Sequence, residues 1–598
     1  MSTLSSYQVV VAMLTLGVLA LFNNIGSIGQ NYDTIRDITH WLSLEGRADK
    51  FLEGLITSAD IIYFLVFIGV FISLSIIKLY SDKTSTNRER IIARYASVLI
   101  VASLVAYVSS IPKLTLYYDA SQVKANTLTD NTRNILEKVE GKVKMTTYVN
   151  MADYNFFMGI PSTMNRDKDK FYDLKRFLPK LKMDYVYYYD EPLNNFDYVA
   201  GVTAPEDIAR QICNSVEINF DKIHTPKEIK DIIDLWPENN TFVREIELKN
   251  GKKSFLRAFD DLDRYPTEAE IAAVFFKLTN NVPIVTFTTG YGEPSIEKAG
   301  ESDYATFAAE KPSRMALINQ GFDVYTANLD KTDNYSLIDS TKILVIADPK
   351  RELSSLAEER ILKYLNNGGN MLITIEPGRE HYLRNVLELM GVETLEGVLV
   401  HPDQDFSSTL ILSNATPQAN AFSHHFRFLF NRVVTMPSAV GLDYKLDGKF
   451  VITPLTITSS RGTWNEVETK NFETDTIKYN RAAGEQQRLI PTSFALSREI
   501  DGREQRIIII GDAHTISNAE FTTSRKGVRS GNRHFTAGAI HWLSNGELPI
   551  NVTREFPIDN KIFLTIDKLP KWNLILTWLI PVLLTLIGSI ILLRRRLN

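Results

Sequence analysis

Uninterrupted apolar runs stand at both ends of the chain, whereas shorter apolar segments alternate with polar ones through the middle. The last run, residues 573–593, has no charged residue and is about 21 residues long. At about 1.5 Å per residue, a helix of this length crosses the ~30 Å hydrocarbon core of a membrane. Pro581 lies inside the run, and three arginines follow it directly. This length and the basic end argue against a buried core helix and predict a C-terminal membrane span.

Three further apolar runs lie near the N-terminus. Residues 61–79 form a strong candidate span, and residues 95–111 are slightly short for one. Residues 7–28 form the weakest candidate, because Asn23 and Asn24 interrupt the pattern. A cleaved signal peptide is the alternative for this first run. The missing basic start and the later apolar runs favour a membrane span.

Lysine and arginine residues predict the orientation of the four segments, because these residues concentrate on the cytoplasmic side of membranes. They occupy the short loop after the second segment and the C-terminal tail, as Lys83, Arg88, Arg90, Arg94, Arg594, Arg595 and Arg596. Four crossings then place both termini in the cytoplasm. The 30–60 loop and everything from about residue 112 to residue 572 would lie outside.

The outer 30–60 loop has its own apolar pattern. Helical spacing places Ile35, Ile38, Trp41 and Leu42 on one face, and it places Phe51, Leu52, Leu55 and Ile56 on a second one. This pattern predicts short amphipathic helices at the membrane surface, with Trp41 at the depth of the headgroups. A helical hairpin packed on a partner protein is the alternative.

The long stretch after residue 112 alternates strand and helix patterns. Strands are predicted at 142–150, 183–190, 282–290, 322–329, 341–349, 370–378 and 505–517. Helices are predicted at 168–181, 205–216, 266–280, 312–321, 355–369 and 532–543. Asn250-Gly251 predicts a hairpin turn, and residues 400–500 are richer in strands and turns. Continuous apolar strands alternating with helices favour a parallel sheet covered on both faces.

Composition narrows the protein class. The chain has 598 residues, of which 44% are hydrophobic and 23% charged, with a net charge of −5. This composition is typical of a folded protein, and the length predicts three or four domains. The slight acidity gives no reason to expect nucleic-acid binding. Cys213 is the only cysteine, which excludes an intrachain disulfide and a cysteine-rich metal centre.

Several predicted strands end in glycines and carboxylates. In open α/β sheets, ligands bind at the carboxyl ends of the strands. A shared crevice for a ligand or partner is therefore one interpretation of these residues. The alternative is turn chemistry, with glycines adopting special backbone angles and carboxylates capping helices. The candidate crevice residues are Gly290, Gly292, Glu293, Asp348, Glu376 and Asp512.

Signals for catalysis are weak. Cys213 falls within a predicted helix, the sequence has no G-x-S-x-G motif, and "NGKKS" at 250–254 lacks the residue order of a phosphate-binding loop. Among the histidines, His424 and His425 are adjacent, His514 lies near Asp512, and His534 and His541 share a helix pattern. They show no recognised metal-ligand spacing. We therefore expect no enzyme activity, no ATP hydrolysis, no cofactor and no metal site.

From about residue 114 onward, the ordered pieces of the chain resemble a known family. They include "ANTLTDNTRNILEKVEGKVKMTTYVN", "EAEIAAVFFKLTNNVPIVTFTTGYGEP", "STKILVIADPKRELSSLAEERILKYLNNGGNMLITIEPG", "TPLTITSSRGTWNEVE" and "QRIIIIGDAHTISN". The resemblance is to the GldG-type, gliding-motility-related auxiliary subunits of ABC transporters. Members often have Gly-His-Gly-Glu where this chain has Gly290-Tyr291-Gly292-Glu293. The resemblance implies an outer α/β fold similar to glutamine amidotransferases, without their catalytic cysteine.

Residues 1–85 resemble a different family. They are similar to the last two membrane helices of a type-2 ABC exporter permease, with the outer helices between them. The matching letters are "FNNIGSIGQ" and "GLITSADIIYFLVFIGVFISLSIIKL". Together, the two resemblances imply a permease fragment fused to an auxiliary subunit. A separate ABC ATPase and another permease chain would complete the transporter, and a cell-envelope protein or an exported substrate would meet the outer domain.

These interpretations combine into one expectation. The chain is expected to be an α/β, multi-pass protein of the bacterial inner membrane with a large periplasmic domain and membrane lipid around its helices. A membrane-anchored periplasmic enzyme and an envelope scaffold remain the alternatives. The expected divisions are 1–85 (permease-like), 86–112 (membrane helix), 113–281 (first α/β subdomain), 282–560 (amidotransferase-like, with the 400–500 insertion) and 572–598 (last span and basic tail).

Overall fold

The computed structural model describes residues 7–597 except for ten short gaps. These gaps are residues 45–46, 85–86, 110, 112–113, 194–203, 332–334, 446–447, 470, 473 and 556–564. All four predicted apolar segments form helices that are long and apolar enough to cross a membrane. They are Gln8–Asn24, Ser58–Lys83, Arg88–Ser109 and a C-terminal run in three pieces, Leu569–Leu574, Ile575–Leu579 and Ile580–Leu597. At most 11% of any such segment is buried within the chain.

A four-stranded sheet follows the first three apolar helices. In order of pairing, its strands are Leu181–Tyr188, Val143–Asn150, Val243–Leu248 and Lys253–Arg257. The last two strands form the hairpin predicted around Asn250-Gly251, because Gly251 adopts a positive φ of 82° at the turn. Helices around this sheet are Asp130–Leu136, Met164–Lys170, Tyr172–Phe177, Pro205–Ser215 and Pro226–Ile232.

A nine-stranded sheet forms the largest part of the fold. In order of pairing, its strands are Val434–Met436, Ile411–Ala415, Val451–Ile457, Pro491–Ile500, Arg503–Ile510, Asn370–Thr374, Ile343–Ala347, Ile284–Thr289 and Asp323–Asn328. The last five in this order run parallel, and the other pairings are antiparallel. The mixed α/β class is confirmed, but the expectation of a parallel sheet holds for only part of it.

The antiparallel half begins at a tight turn. Asp501 and Gly502 both adopt positive φ, at 50° and 72°, between the strands Pro491–Ile500 and Arg503–Ile510. Positive φ at both central residues is typical of two-residue hairpins, which join antiparallel strands. The turn therefore makes these two strands antiparallel. A parallel pair would have needed a longer crossover connection, such as a helix.

The nine-stranded sheet is covered on both faces, as the sequence predicted. Alternate residues of the strand Ile343–Ala347 pack into two hydrophobic cores, one on each face of the sheet. Ile343 and Val345 belong to the first core, and Leu344 and Ile346 belong to the second. The first core includes the helices Glu268–Thr279 and Asn532–Leu543, and the second includes Ser355–Asn366 and Arg384–Leu389. Smaller elements are the helices Ala305–Ala308, Tyr335–Ser340 and Asn518–Thr522, and the paired strands Val392–Thr394 with Leu442–Tyr444 and Val398–Val400 with Trp464–Glu466.

Two predicted helices are wrong in part. Residues 312–321 contain only the short 3-10 turn Leu317–Asn319. The amides of Asn319 and Gln320 donate to the backbone carbonyls of Lys311, Ser313 and Arg314, and these bonds satisfy carbonyls that a helix would use. The predicted 168–181 helix is two helices that meet at Phe171, whose ring is buried.

The 30–60 loop forms the helices Asp33–Leu42 and Arg47–Leu52. Leu55 and Ile56 were expected on the second helix, but they lie in a strand, Leu55–Thr57, which pairs with Tyr117–Asp119. Backbone pairing with the segment that follows the third apolar helix takes them out of the helix. The domain divisions given above stay predictions.

Candidate functional site

The site lies where neighbouring parallel strands end. Asp348, Glu376 and Asp512 each follow one of the three adjacent strands Ile343–Ala347, Asn370–Thr374 and Arg503–Ile510. Because carboxyl ends of parallel strands share one edge of the sheet, the three carboxylates converge there. All three are buried, with exposed fractions of 3% for Asp348, 3% for Glu376 and 0% for Asp512.

His514 links two of these carboxylates. Its Nδ1 lies 2.9 Å from Oε1 of Glu376, and the same oxygen accepts a hydrogen bond from the Ala513 backbone N–H at 2.9 Å. Oδ1 of Asp512 accepts from the His514 backbone N–H at 2.6 Å, and Oδ2 accepts from the Ser438 N–H at 3.1 Å. The imidazole is therefore fixed at its ring and at its backbone.

Arg379 neutralises the third carboxylate. Its Nε and Nη2 donate to the two oxygens of Asp348 at 2.8 and 2.6 Å, and Nη2 lies 3.9 Å from Oε2 of Glu376. Asp348 adopts a positive φ of 44°, which is uncommon for a residue other than glycine. Such strained backbone concentrates at functional sites.

The charges of the site follow from burial and contact. Burial, with the neighbouring charge of Glu376, raises the pKa of Asp512 well above its usual range. Burial also raises the pKa of Asp348, although Arg379 opposes the effect. The hydrogen bond to Glu376 raises the pKa of His514. Asp512 therefore keeps its proton to higher pH than a free aspartic acid does, and His514 binds its proton more tightly than a free histidine does.

The other three predicted residues occupy a neighbouring turn. The carboxylate of Glu293 accepts a hydrogen bond from the Tyr291 N–H at 2.7 Å, within its own loop. Gly290 and Gly292 adopt positive φ of 112° and 86°. The turn touches the Asp348 loop through the backbone, where Lys350 N–H donates to Tyr291 O at 2.8 Å. The structure thus brings together Asp348, Glu376 and Asp512, and gives Gly290, Gly292 and Glu293 the contacts of a turn.

Three residues of the site had no strong signal in the sequence. Arg379 follows Glu376 by three positions, and Tyr304 donates its hydroxyl to the Ala513 carbonyl at 2.7 Å beneath the site. Ser302 is exposed, and its Oγ lies 3.2 Å from Nε2 of His514. The pair Asp512 and His514 was visible as an Asp-x-His spacing, but its partner Glu376 lies 136 positions earlier than Asp512, at 376 against 512.

A divalent cation is compatible with part of this arrangement. One ligand atom each from Glu376, Asp512 and His514 lie within 4.8 Å of one another. Nitrogen and carboxylate oxygen donors suit zinc and similar ions. The hydrogen bonds described above already use these atoms, and the expectation of no metal site stays a prediction.

The adjacent histidines lie elsewhere. The rings of His424 and His425 have centroids 4.0 Å apart, and the ring of His541 lies 4.7 Å from that of His424. Burial lowers the pKa of His424 to about 4 and that of His425 to about 3, and the neighbouring histidines add to both effects. They therefore remain neutral near pH 7 and pack the short 3-10 helix His424–Leu429 against Asn532–Leu543.

A cavity of about 520 Å³ lies at the opposite edge of the sheet. Its lining includes five cations, Lys342, Arg360, Lys363, Arg503 and Arg506. The helices Tyr335–Ser340, Ser355–Asn366 and Asn532–Leu543 end beside it. Helix carboxyl ends carry partial negative charge and favour nearby cations. The basic lining therefore has a structural explanation that needs no ligand.

Comparisons with known proteins give one family match, and it covers the nine-stranded region. Residues 283–546 match the family described as "ABC-type uncharacterized transport system", an auxiliary family of ABC transport systems. This range contains every residue of the site. No curated protein matches the chain.

Solved structures resemble the chain at low identity. The structure "mmIFT52 N-terminal domain" is 13% identical, with a TM-score of 0.31, and the match covers 44% of this chain and 98% of that one. A putative ThuA-like protein from Bacteroides uniformis ATCC 8492 is 12% identical, with a TM-score of 0.27 and coverages of 44% and 92%. Another from Parabacteroides merdae ATCC 43184 is 10% identical, with a TM-score of 0.23 and coverages of 42% and 98%.

Proposed function

We propose, from the match of residues 283–546 to an auxiliary family of ABC-type transport systems, that the chain is a membrane subunit of such a transporter. It would join a permease fragment to an auxiliary domain and rely on a separate ATPase. One observation carries the proposal: the family region is flanked on both sides by apolar helices long enough to span a membrane. An ABC ATPase and a second permease chain would complete the assembly.

The contacts of the 30–60 loop support the proposed topology. In the helix Asp33–Leu42, His40 lies 3.5 Å from Asp169, and the Arg36 carbonyl lies 3.5 Å from the Asn165 amide. Contact with the helix Met164–Lys170 requires the loop and the outer region to share one side of the membrane. The basic loop and tail then face the cytoplasm of a bacterial cell, and the large domain faces the periplasm.

The apolar helices offer surfaces for partner helices. Ser58–Lys83 and Arg88–Ser109 pack against each other, and small residues, among them Gly69, Ser73 and Ser97, line a groove of about 310 Å³ between them. Small residues let membrane helices approach closely. Most of the surface of these two helices faces away from the chain, as expected for a fragment that completes a larger permease.

We also propose that the outer region has an amidotransferase-like fold without the nucleophile of that class. The helix Pro205–Ser215, which contains Cys213, belongs to the core beside the four-stranded sheet, and burial raises the pKa of this thiol to about 11. A buried, protonated thiol is a poor nucleophile. The crevice of Asp348, Glu376 and Asp512 would instead meet an exported substrate or an envelope partner.

Affinity purification from membranes tests the proposal. The tagged chain, extracted in a mild detergent, should co-purify with an ATP-binding polypeptide and a permease chain. The variant Glu376→Gln is the matched control, because a crevice residue should leave assembly through the membrane helices unchanged. Recovery of the chain without an ATP-binding partner, under conditions that keep related transporters whole, would contradict the proposal.

The alternative role as a periplasmic enzyme has one observation in its favour. It requires buried carboxylates with shifted pKa at a strand edge, and Asp348 and Asp512 have this property. Glu293, which was expected to join them, instead accepts a hydrogen bond within its own turn.

A further inference from the structure

The strand-end site contains contacts of His514 that the proposed role in transport does not require. His514 contacts a buried carboxylate with one ring nitrogen and an exposed hydroxyl with the other. Nδ1 lies 2.9 Å from Glu376 Oε1, and Nε2 lies 3.2 Å from Ser302 Oγ. A hydroxyl, an imidazole and a carboxylate in this order form the relay that activates serine nucleophiles.

Three separate segments of the chain supply the relay. Ser302 lies before the helix Ala305–Ala308, Glu376 follows the strand Asn370–Thr374, and His514 follows Arg503–Ile510. No local sequence motif joins them, which is why the pattern could not be found in the sequence. Such relays are identified by geometry and not by sequence position.

The loop of Ser302 is held on both sides of the serine. The carbonyls of Glu301 and Asp303 accept hydrogen bonds from the backbone N–H groups of Ala519 and Asn518, at 3.0 and 2.8 Å. Asn518 also donates through its side chain to Gly300 O at 2.8 Å. Since these partners begin just after His514, one short segment positions both the hydroxyl and the imidazole.

The hydroxyl is accessible and has a donor nearby. Ser302 is exposed, whereas Glu376 is 3% exposed. Within the described residues, the backbone N–H of Ser302 donates to no protein acceptor. It is therefore available to stabilise a negative oxygen that forms beside Oγ, as in an oxyanion hole.

We propose that Ser302 is a nucleophile for carboxylic esters, with His514 as general base and Glu376 as the residue that positions it. Ser302 Oγ forms a bond to the carbonyl carbon and passes its proton to Nε2 of His514. The ester C–O bond breaks, and the leaving alcohol takes that proton. Water then attacks the acyl-serine and gives its proton to His514, which returns it to Ser302 as the acid is released. This inference goes beyond the transport role and replaces the expectation that the chain catalyses no reaction.

A fluorophosphonate probe tests the proposal on the full-length protein in detergent. The probe should label the wild-type chain, and mass spectrometry should locate the label on Ser302. Ser302→Ala and His514→Gln should reduce the labelling rate at least ~100-fold, the usual size of general-base effects. Ser215→Ala is the matched control, because Ser215 is also exposed but donates to the Ile212 carbonyl. It should label like the wild type.

The pH dependence separates positioning from mere structural support. The labelling rate should rise as His514 loses its proton. The charged or titratable groups that face this ring are Glu376, Asp512, Asp348 and Arg379. Glu376→Gln removes the contact that raises the His514 pKa, so the midpoint should move to lower pH while the maximal rate falls. A structural role for Glu376 would change the rate without moving the midpoint.

Three results would overturn the proposal. They are a wild-type labelling rate no higher than that of Ser302→Ala, a label located on another residue, or a rate that EDTA abolishes and zinc restores. The last result would assign Glu376, Asp512 and His514 to a metal ion. None of them affects the transport role, which depends on the co-purifying partners.

Discussion

At the scale of single residues, Arg244 is a fully buried charge in the large domain. Arg244 and Asp167 are both fully buried, and NH2 of the arginine lies 2.5 Å from Oδ1 of the aspartate. The hydroxyl of Tyr185 donates to the other oxygen at 2.6 Å. The rings of Phe171 and Phe242 lie 5.1 and 4.7 Å from the guanidinium. This pair ties the helix Met164–Lys170 to the four-stranded sheet.

Removing one partner of this pair should destabilise the protein strongly. Arg244→Met leaves a buried, unpaired carboxylate, and such changes cost about 3–5 kcal/mol. We expect a lowered unfolding temperature in detergent, and partial recovery in the double variant Arg244→Met with Asp167→Asn. Lys182→Ala is the control, since its pair with Asp184 is largely exposed and is worth about 0–1 kcal/mol. Equal melting of Arg244→Met and Lys182→Ala would contradict this prediction.

The histidine cluster predicts acid sensitivity. Free histidine has a pKa near 6.5, whereas the folded protein lowers the pKa of His424 to about 4 and of His425 to about 3. The folded state therefore binds fewer protons than the unfolded state between about pH 6.5 and 4. Stability is fully present above pH 6.5 and is lost as the pH falls through this window.

Thermal melting between pH 7.5 and 5 measures this loss. The double variant His424→Gln with His425→Gln should show a smaller fall in melting temperature than the wild type over that range. His401→Gln serves as the control, because this histidine lies outside the cluster and contacts Thr463. An unchanged slope in the double variant would show that other groups cause the acid sensitivity.

The sequence identified some residues of the site and missed others. Asp348, Glu376 and Asp512 could be identified because each ends an apolar strand, and strand ends share an edge. Ser302 could not, since it lies in an exposed loop whose position depends on backbone bonds to residues 518 and 519. Contacts between segments more than 100 positions apart leave no periodic signal in one sequence.

At the scale of elements, apolar patterns predicted strands better than helices. Buried strands such as Ile343–Ala347 consist of continuous apolar residues, a pattern typical of a strand buried on both faces. The predicted helix at 312–321 is wrong because two side-chain amides bond the carbonyls that a helix would use. The antiparallel turn at Asp501-Gly502 had a readable signal, the Asp-Gly pair, which indicates a hairpin.

Packing between two elements makes a prediction at Gly538. This residue lies in the helix Asn532–Leu543, and a Cβ added there would lie 2.5 Å from the ring of Phe426. The ring is 1% exposed and has little room to shift. Gly538→Ala should therefore destabilise the protein by about 1–3 kcal/mol, although alanine favours helices elsewhere.

The melting temperature of the Gly538→Ala variant tests this effect. Gly588→Ala is the matched control, since an added Cβ at Gly588 meets no atom within 4 Å. The control should melt at or slightly above the wild-type temperature. A Gly538→Ala protein as stable as this control would mean that the Phe426 ring moves freely.

At the scale of the whole molecule, residues near the two ends of the large domain contact each other. Arg554, near the end of the outer region, donates to the Thr127 carbonyl at 2.8 Å and to Glu268 at 2.6 Å. Glu268 also accepts from the Thr129 N–H at 2.6 Å. Residues 127–129 and 554 thus lie side by side, as expected for a domain held on one face of a membrane.

This arrangement was only partly predictable. The lengths of the apolar runs and the positions of the basic residues along the chain predict four spans and their orientation. The pairing of Leu55–Thr57 with Tyr117–Asp119 was not predictable, because strands of three residues carry too little pattern. The proposal that the large domain lies in the periplasm, while another chain hydrolyses ATP on the cytoplasmic side, depends on sidedness.

Site-directed labelling with a membrane-impermeant maleimide measures sidedness most directly. Cys213 is buried and gives little background, so single cysteines can be placed at the fully exposed Leu262 and at the exposed Asn87 in the basic loop. In intact spheroplasts, Leu262→Cys should label and Asn87→Cys should label only after lysis. Labelling of Asn87→Cys in intact spheroplasts, with Leu262→Cys protected until lysis, would contradict the account.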